Sequence, residues 1–168
     1  MPMAEIDITT GCGDIRLGSS LNDILDKYGE PEKMSGGITT EYYRGLKRDG
    51  VVTKLDTWQK NEDVWIFYME KYGFHCIFDY NSKRMRFVAF YSNFNSFKTK
   101  EGINSNSTIE DVKRIYGQPK KEHKGMIINN CQLSNRILYA NSDFLFEDQN
   151  LVGKLKLTKI GISDRLID

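Results

Sequence analysis

A duplicated segment constrains this chain more than any other feature of its sequence. Residues 13–31 read GDIRLGSSLNDILDKYGEP, and residues 101–119 read EGINSNSTIEDVKRIYGQP. At a constant offset of 88 the pairs Ile15/Ile103, Ser19/Ser107, Asp23/Asp111, Tyr28/Tyr116, Gly29/Gly117 and Pro31/Pro119 are identical. Ser20/Thr108, Leu21/Ile109 and Ile24/Val112 are near matches. In each copy the Ser or Thr suits a helix N-cap, where its oxygen takes an orphan amide of the first turn. The Asp three positions on suits the positive end of the helix dipole. Leu21, Ile24, Leu25 and Tyr28 fall at i, i+3, i+4 and i+7, a single apolar stripe. Copy two puts Lys113 where Leu25 stood, which narrows its stripe. Gly29 and Gly117 suit a left-handed exit, and the prolines two residues later bar continuation.

Strand patterning follows each helix. Segments 64–70, 74–79 and 84–91, then 136–140, 143–147 and 154–162, are rich in β-branched and aromatic residues, with turn residues between them. The offset drops here to 68–70, so the first half contains an extra stretch of loop-like sequence, placed at 36–62. The expectation is an α+β chain. It has two tandem helix-plus-antiparallel-meander units, 1–95 and 96–168, with the helices on one face of the sheet or sheets. Each unit has room for a second short helical turn after its proline. A helix covers only one sheet face, which leaves the other open to a partner.

Composition sets further bounds. Among 168 residues, 24 Lys and Arg balance 23 Asp and Glu, a net charge of +1. That balance argues against a role in gripping nucleic-acid phosphates, which calls for a basic excess. A hydrophobic share of 39% with 9 Tyr, 9 Phe and 2 Trp argues for a folded chain. No apolar run is long enough to span a bilayer, and the acidic start (Glu5, Asp7) does not read as a secretory signal. Thr10-Gly11-Cys12 resembles a lipoprotein cleavage box without the hydrophobic stretch such a box follows, so no anchor is expected at Cys12. Three cysteines (Cys12, Cys76, Cys131) and no CxxC fit free thiols in a reducing compartment. A cytoplasmic location is expected.

Catalytic and metal chemistry find little material. His75-Cys76 is the closest pair of metal-type ligands, and adjacent strand residues point to opposite faces. His123 lies in the charged stretch 120–124, which reads as a solvated loop. Nucleophile elbow, P-loop and dinucleotide fingerprint are all missing. The expectation is therefore no enzyme, no cofactor and no metal. An enzyme would instead show a deep pocket holding His75 with a carboxylate.

Binding residues are easier to nominate. Alternation sets Phe74, Cys76 and Phe78 against His75, Ile77 and Asp79. It also sets Met85, Phe87 and Ala89 against Arg84, Arg86, Val88 and Phe90, and Leu157 against Lys154 and Lys156. Asp79 and Glu147 fall at matching strand ends. Lysine is rarely buried unpaired, so the lysine row must face water, and Arg84, Arg86 and Phe90 are expected beside it. Trp58 and Trp65 flank the charged turn 60–63 and are candidate anchors. Residues 1–32 hold seven acids against Arg16 and Lys27, a field suited to steering a basic partner.

The helix motif followed by a meander resembles the β-lactamase-inhibitor-protein-like and small outer-membrane-assembly-lipoprotein-like superfamily. Its tandem form grips another protein on a long concave sheet. That resemblance implies a protein-binding role. By analogy of class, the chain also looks like a bacterial immunity protein that forms a 1:1 heterodimer with a contact-dependent or secreted toxin domain, such as a nuclease. The expected partner is thus a protein, neither nucleic acid nor membrane. The alternative is an envelope-assembly or lipoprotein-like interaction module.

Overall fold

The computed structural model describes residues 4–35, 64–79, 81–128, 132–148 and 153–164. Two capped helices form where the duplicated motif stands. Helix α1 runs Leu21–Tyr28, and its first turn is held by the Ser20 hydroxyl, which accepts the Asp23 N–H at 3.1 Å. Helix α2 runs Ile109–Tyr116 and closes a full capping box: Thr108 accepts from the Asp111 N–H at 3.1 Å, and the Asp111 carboxylate accepts from the Thr108 N–H at 2.9 Å. Both end at a glycine with positive φ. Leu21, Ile24 and Leu25 are buried in α1, but only Val112 in α2, as the narrower stripe requires.

Strands, not helical turns, follow the two prolines. Strands β1 (Gly11–Cys12) and β2 (Ile15–Arg16) make a small ribbon ahead of α1. The large sheet contains β3 (Lys33–Ser35), β4 (Val64–Met69), β5 (Phe74–Asp79), β6 (Met85–Tyr91), β7 (Lys121–Ile128), β8 (Gln132–Leu138), β9 (Ser142–Asp148) and β10 (Lys156–Ser163). Its order is β3-β4-β5-β6-β10-β9-β8-β7, antiparallel throughout. The expected α+β class of two helix-plus-meander units is therefore corrected. The chain is mostly β, one continuous eight-stranded sheet plus a two-stranded ribbon, with two eight-residue α-helices among the described residues. The physical reason is edge pairing. A lone meander would leave β6 and β10 each with a row of unpaired amides, and their mutual pairing from Lys159↔Tyr91 to Ser163↔Phe87 removes both edges. His123 likewise belongs to strand β7 and not to a loop.

The expected boundary at 95/96 falls in a packed segment. Ile6 pairs with Thr99 beside it: its N–H donates to the Lys98 carbonyl at 2.9 Å, and its own carbonyl accepts from the Lys100 N–H at 3.0 Å. Phe97, Thr99 and Ile103 are buried there. The stretch 36–62 and Trp58 lie outside the described residues.

One sheet face carries the core. The cross-strand row Met69–Phe74–Phe90–Ile160–Phe144–Ile137 runs across it. Tyr28 of α1 meets the Phe74 ring edge-on at 5.4 Å between centroids, and Tyr116 of α2 stacks on Phe144 at 5.5 Å. Both helices therefore pack on this same face.

Two β-bulges decide which residues join the row. The ladder slips between Ile77 and Phe78 against β6, and between Leu157 and Lys159 in β10. The extra residue turns Arg86 to the opposite side and brings Met85, Val88 and Phe90 into the core. Strict alternation, which placed Val88 and Phe90 beside the arginines, is corrected accordingly: both are fully buried.

Gly161 is fixed by a close approach. A Cβ there would stand 2.1 Å from Asp143 Oδ1 and 3.2 Å from the Phe87 ring. Gly161→Ala is expected to cost about 2 kcal/mol of stability, since overpacking must displace a buried carboxylate. In an Asp143→Ala background the same change is expected to cost little, a coupling readable in a double-mutant cycle by urea unfolding.

Candidate functional site

The second sheet face points away from both helices. Its central row is Tyr68–His75–Ala89–Gly161–Asp143–Leu138–Lys121, one residue from each successive strand β4 to β7 in the sheet order. A parallel row runs Tyr91–Lys159–Leu145–Arg136–His123. Among the described residues no helix packs here, and Ile66, Tyr68, His75, Ile77, Phe87 and Tyr91 stay partly accessible.

His75 is the centre of an aromatic cluster on this face. Its ring lies 5.5 Å from Tyr68, 5.5 Å from Phe87 and 5.6 Å from Tyr91, centroid to centroid. Nδ1 shares a hydrogen bond with the Tyr91 hydroxyl at 2.5 Å. Burial and, after it, the nearby Lys159 charge push His75 down to about 4, against a smaller upward pull from Asp143. The imidazole is therefore neutral at pH 7. Burial pushes the Tyr91 phenol up to about 12, so it keeps its proton.

Farther along the face, Asp143 is almost fully covered, its side chain 3% exposed. Arg136 Nε donates to its Oδ2 at 2.6 Å, with Nη2 close to the same oxygen. Oδ1 has no hydrogen-bond partner. At the edge of the face Arg86 lies 3.4 Å from Asp79 and 3.7 Å from Asp164.

The nominated residues separate into groups. His75, Asp79, Arg86, Glu147 and Lys156 share the helix-free face. Asp79 also caps its own turn, accepting from the N–H of Asn81 and of Ser82 at 3.1 and 2.8 Å. Glu147 accepts from the Thr158 hydroxyl and stands opposite Lys156. Lys154 is exposed just ahead of β10. Arg84 turns elsewhere, its Nη1 donating to the Gly18 carbonyl at 3.2 Å, so it ties the lead-in of α1 to the sheet. Trp65 and Phe90 are fully buried on the core face and present nothing to a partner.

Sequence reasoning missed Tyr68, Tyr91, Arg136 and Asp143. A buried acid opposite an arginine across a strand pair has no local signature, because Arg136 and Asp143 sit diagonally on neighbouring strands. Period-2 alternation from His75 would have found Tyr68 and Tyr91 once the strand order was in hand.

The described residues contain no group of three or more His, Cys, Asp or Glu placed to hold a metal ion. Cys76 is fully buried on the core face and Cys12 nearly so, and burial pushes both thiols up, away from the reactive thiolate.

The depressed His75 has a consequence for stability. Between pH 6.5 and about 4 the unfolded chain takes up a proton that the folded His75 refuses. Stability is therefore expected to fall on acidification through that window, by up to about 3 kcal/mol, and this contribution levels off below it. Urea unfolding from pH 7 to 4 checks this, and His75→Phe is expected to remove most of the slope in that window. Comparison of the chain with protein-family models, with curated proteins and with solved structures finds no match.

Proposed function

We propose that this chain is a non-enzymatic protein-binding inhibitor that meets its partner with the helix-free face of the sheet. The observation that carries this reading is the segregation of the two faces. Tyr28 and Tyr116 anchor both helices to one side, while the other displays partly accessible aromatic residues among charged ones. That mixture is what protein interfaces use: aromatic anchors supply buried area, and charges fix register and partner. In its most concrete form the partner is a bacterial toxin domain, such as a nuclease, neutralised in a cytoplasmic 1:1 complex.

A second reading has one specific observation in its favour. His75 shares a cleft with two carboxylates, Glu70 and Glu147, as a small-ligand enzyme would require. Its basicity argues against that use. A histidine depressed to about 4 is a poor general base at neutral pH. The envelope-assembly alternative gains no comparable observation.

Co-expression with a toxin encoded beside this gene, followed by size-exclusion chromatography and a growth assay, tests the proposal. The expected outcome is a stoichiometric complex and rescued growth, with Tyr68→Ala/Tyr91→Ala, which truncates two partly accessible rings of that face, weakening the complex at least about tenfold. Neither co-elution nor rescue would overturn the toxin-neutralising reading.

A further inference from the structure

A cleft of about 470 Å³ opens on the helix-free face where β4, β5 and β6 end. The rings of Tyr68, His75 and Tyr91 wall it, and the carboxylates of Glu70 and Glu147 stand at its rim. Among the described residues no lysine or arginine lines it. Neither carboxylate enters an ion pair among the described residues, although Glu147 accepts the Thr158 hydroxyl through Oε1. Nearby cations include Lys159, beside Tyr91 across the β6–β10 ladder, and Lys156, opposite Glu147 across the β9–β10 ladder; both lie outside the lining.

We infer that this cleft receives the cationic side chain of a protein partner, an arginine or lysine laid against the Tyr68, His75 and Tyr91 rings and paired with Glu70 and Glu147. The inference rests on the protein-binding reading and names the chemistry of its anchor. Aromatic faces attract a cation held above them, and the attraction grows as water is excluded. A carboxylate at the rim adds a charge-assisted hydrogen bond whose geometry a guanidinium meets with two donors. His75, kept neutral by burial, adds no opposing charge to the wall. Lys159 and Lys156 oppose the cation from outside the lining, whereas Glu70 and Glu147 stand within it.

The test needs no toxin. The full chain is titrated with the capped peptide acetyl-Gly-Arg-Gly-amide and with the same peptide carrying citrulline, which is isosteric and uncharged. The ring resonances of His75, Tyr68 and Tyr91 are followed by NMR. Saturable shifts at millimolar arginine peptide, with citrulline at least about fivefold weaker, are expected. Glu70→Gln and Glu147→Gln should each weaken the arginine peptide by a similar factor while leaving the other sheet resonances in place. Equal shifts with citrulline, or none with arginine up to tens of millimolar, would overturn the inference. Tight binding of putrescine without any response to the peptide would overturn the side-chain source. A failure here leaves complex formation with a toxin untouched, and a missing toxin complex leaves the peptide titration readable, so the two failures are distinguishable.

Discussion

The pairing of β6 with β10 is the contact on which the rest of the structure depends. Strands ending at Tyr91 and at Ser163 lie far apart in the sequence, and each would otherwise be an edge. Their antiparallel ladder turns separate strand groups into one sheet, with one face long enough to seat both helices. It also places Ala89 against Gly161 at the centre of the other face. Those two small residues leave room for Phe87 to lean over the strand and for Asp143 to lie flat against it. That surface thus has a filled middle, with the His75 cleft on one side and the Arg136–Asp143 pair on the other.

Electrostatics on that face follows from the same geometry. His75 sits among rings, and desolvation outweighs the upward pull of Asp143, so the ring stays neutral. Asp143 solves the converse problem with a guanidinium on the neighbouring strand, a buried pair whose loss would leave an unpaired charge. What stays uncommitted is the rim: Glu70, Lys154 and Lys156 are exposed. Rims of this kind steer and select partners more than they hold them.

The capped helices were legible in the sequence because capping is local. Ser20 and Thr108, with an aspartate three residues on, specify a helix start through bonds inside one turn. Segment 74–79 was legible for a similar reason, since its alternation needs no partner to be read. The strands after Pro31 and Pro119 were not, because short charged segments such as Lys33–Ser35 become strands only when a neighbour offers its edge. The bulge at Arg86 was invisible too. It reversed the face of Phe90 and removed it from the accessible set. The site was legible only in part: His75 and Glu147 could be nominated from alternation and the repeat, but Tyr68, Tyr91 and Asp143 joined them through a strand order that only the fold supplies.

The division of labour between the two faces is the central claim, and side-chain footprinting of the chain alone and in a purified complex with its partner tests it most directly. Hydroxyl-radical oxidation read by mass spectrometry reports each ring and aliphatic side chain separately. The account predicts that Tyr68, Phe87 and Tyr91 become protected on binding while Tyr72 and Ile115, exposed on the helix side, keep their free rates. Protection of Tyr72 and Ile115 with unchanged oxidation at Tyr68, Phe87 and Tyr91 would contradict it.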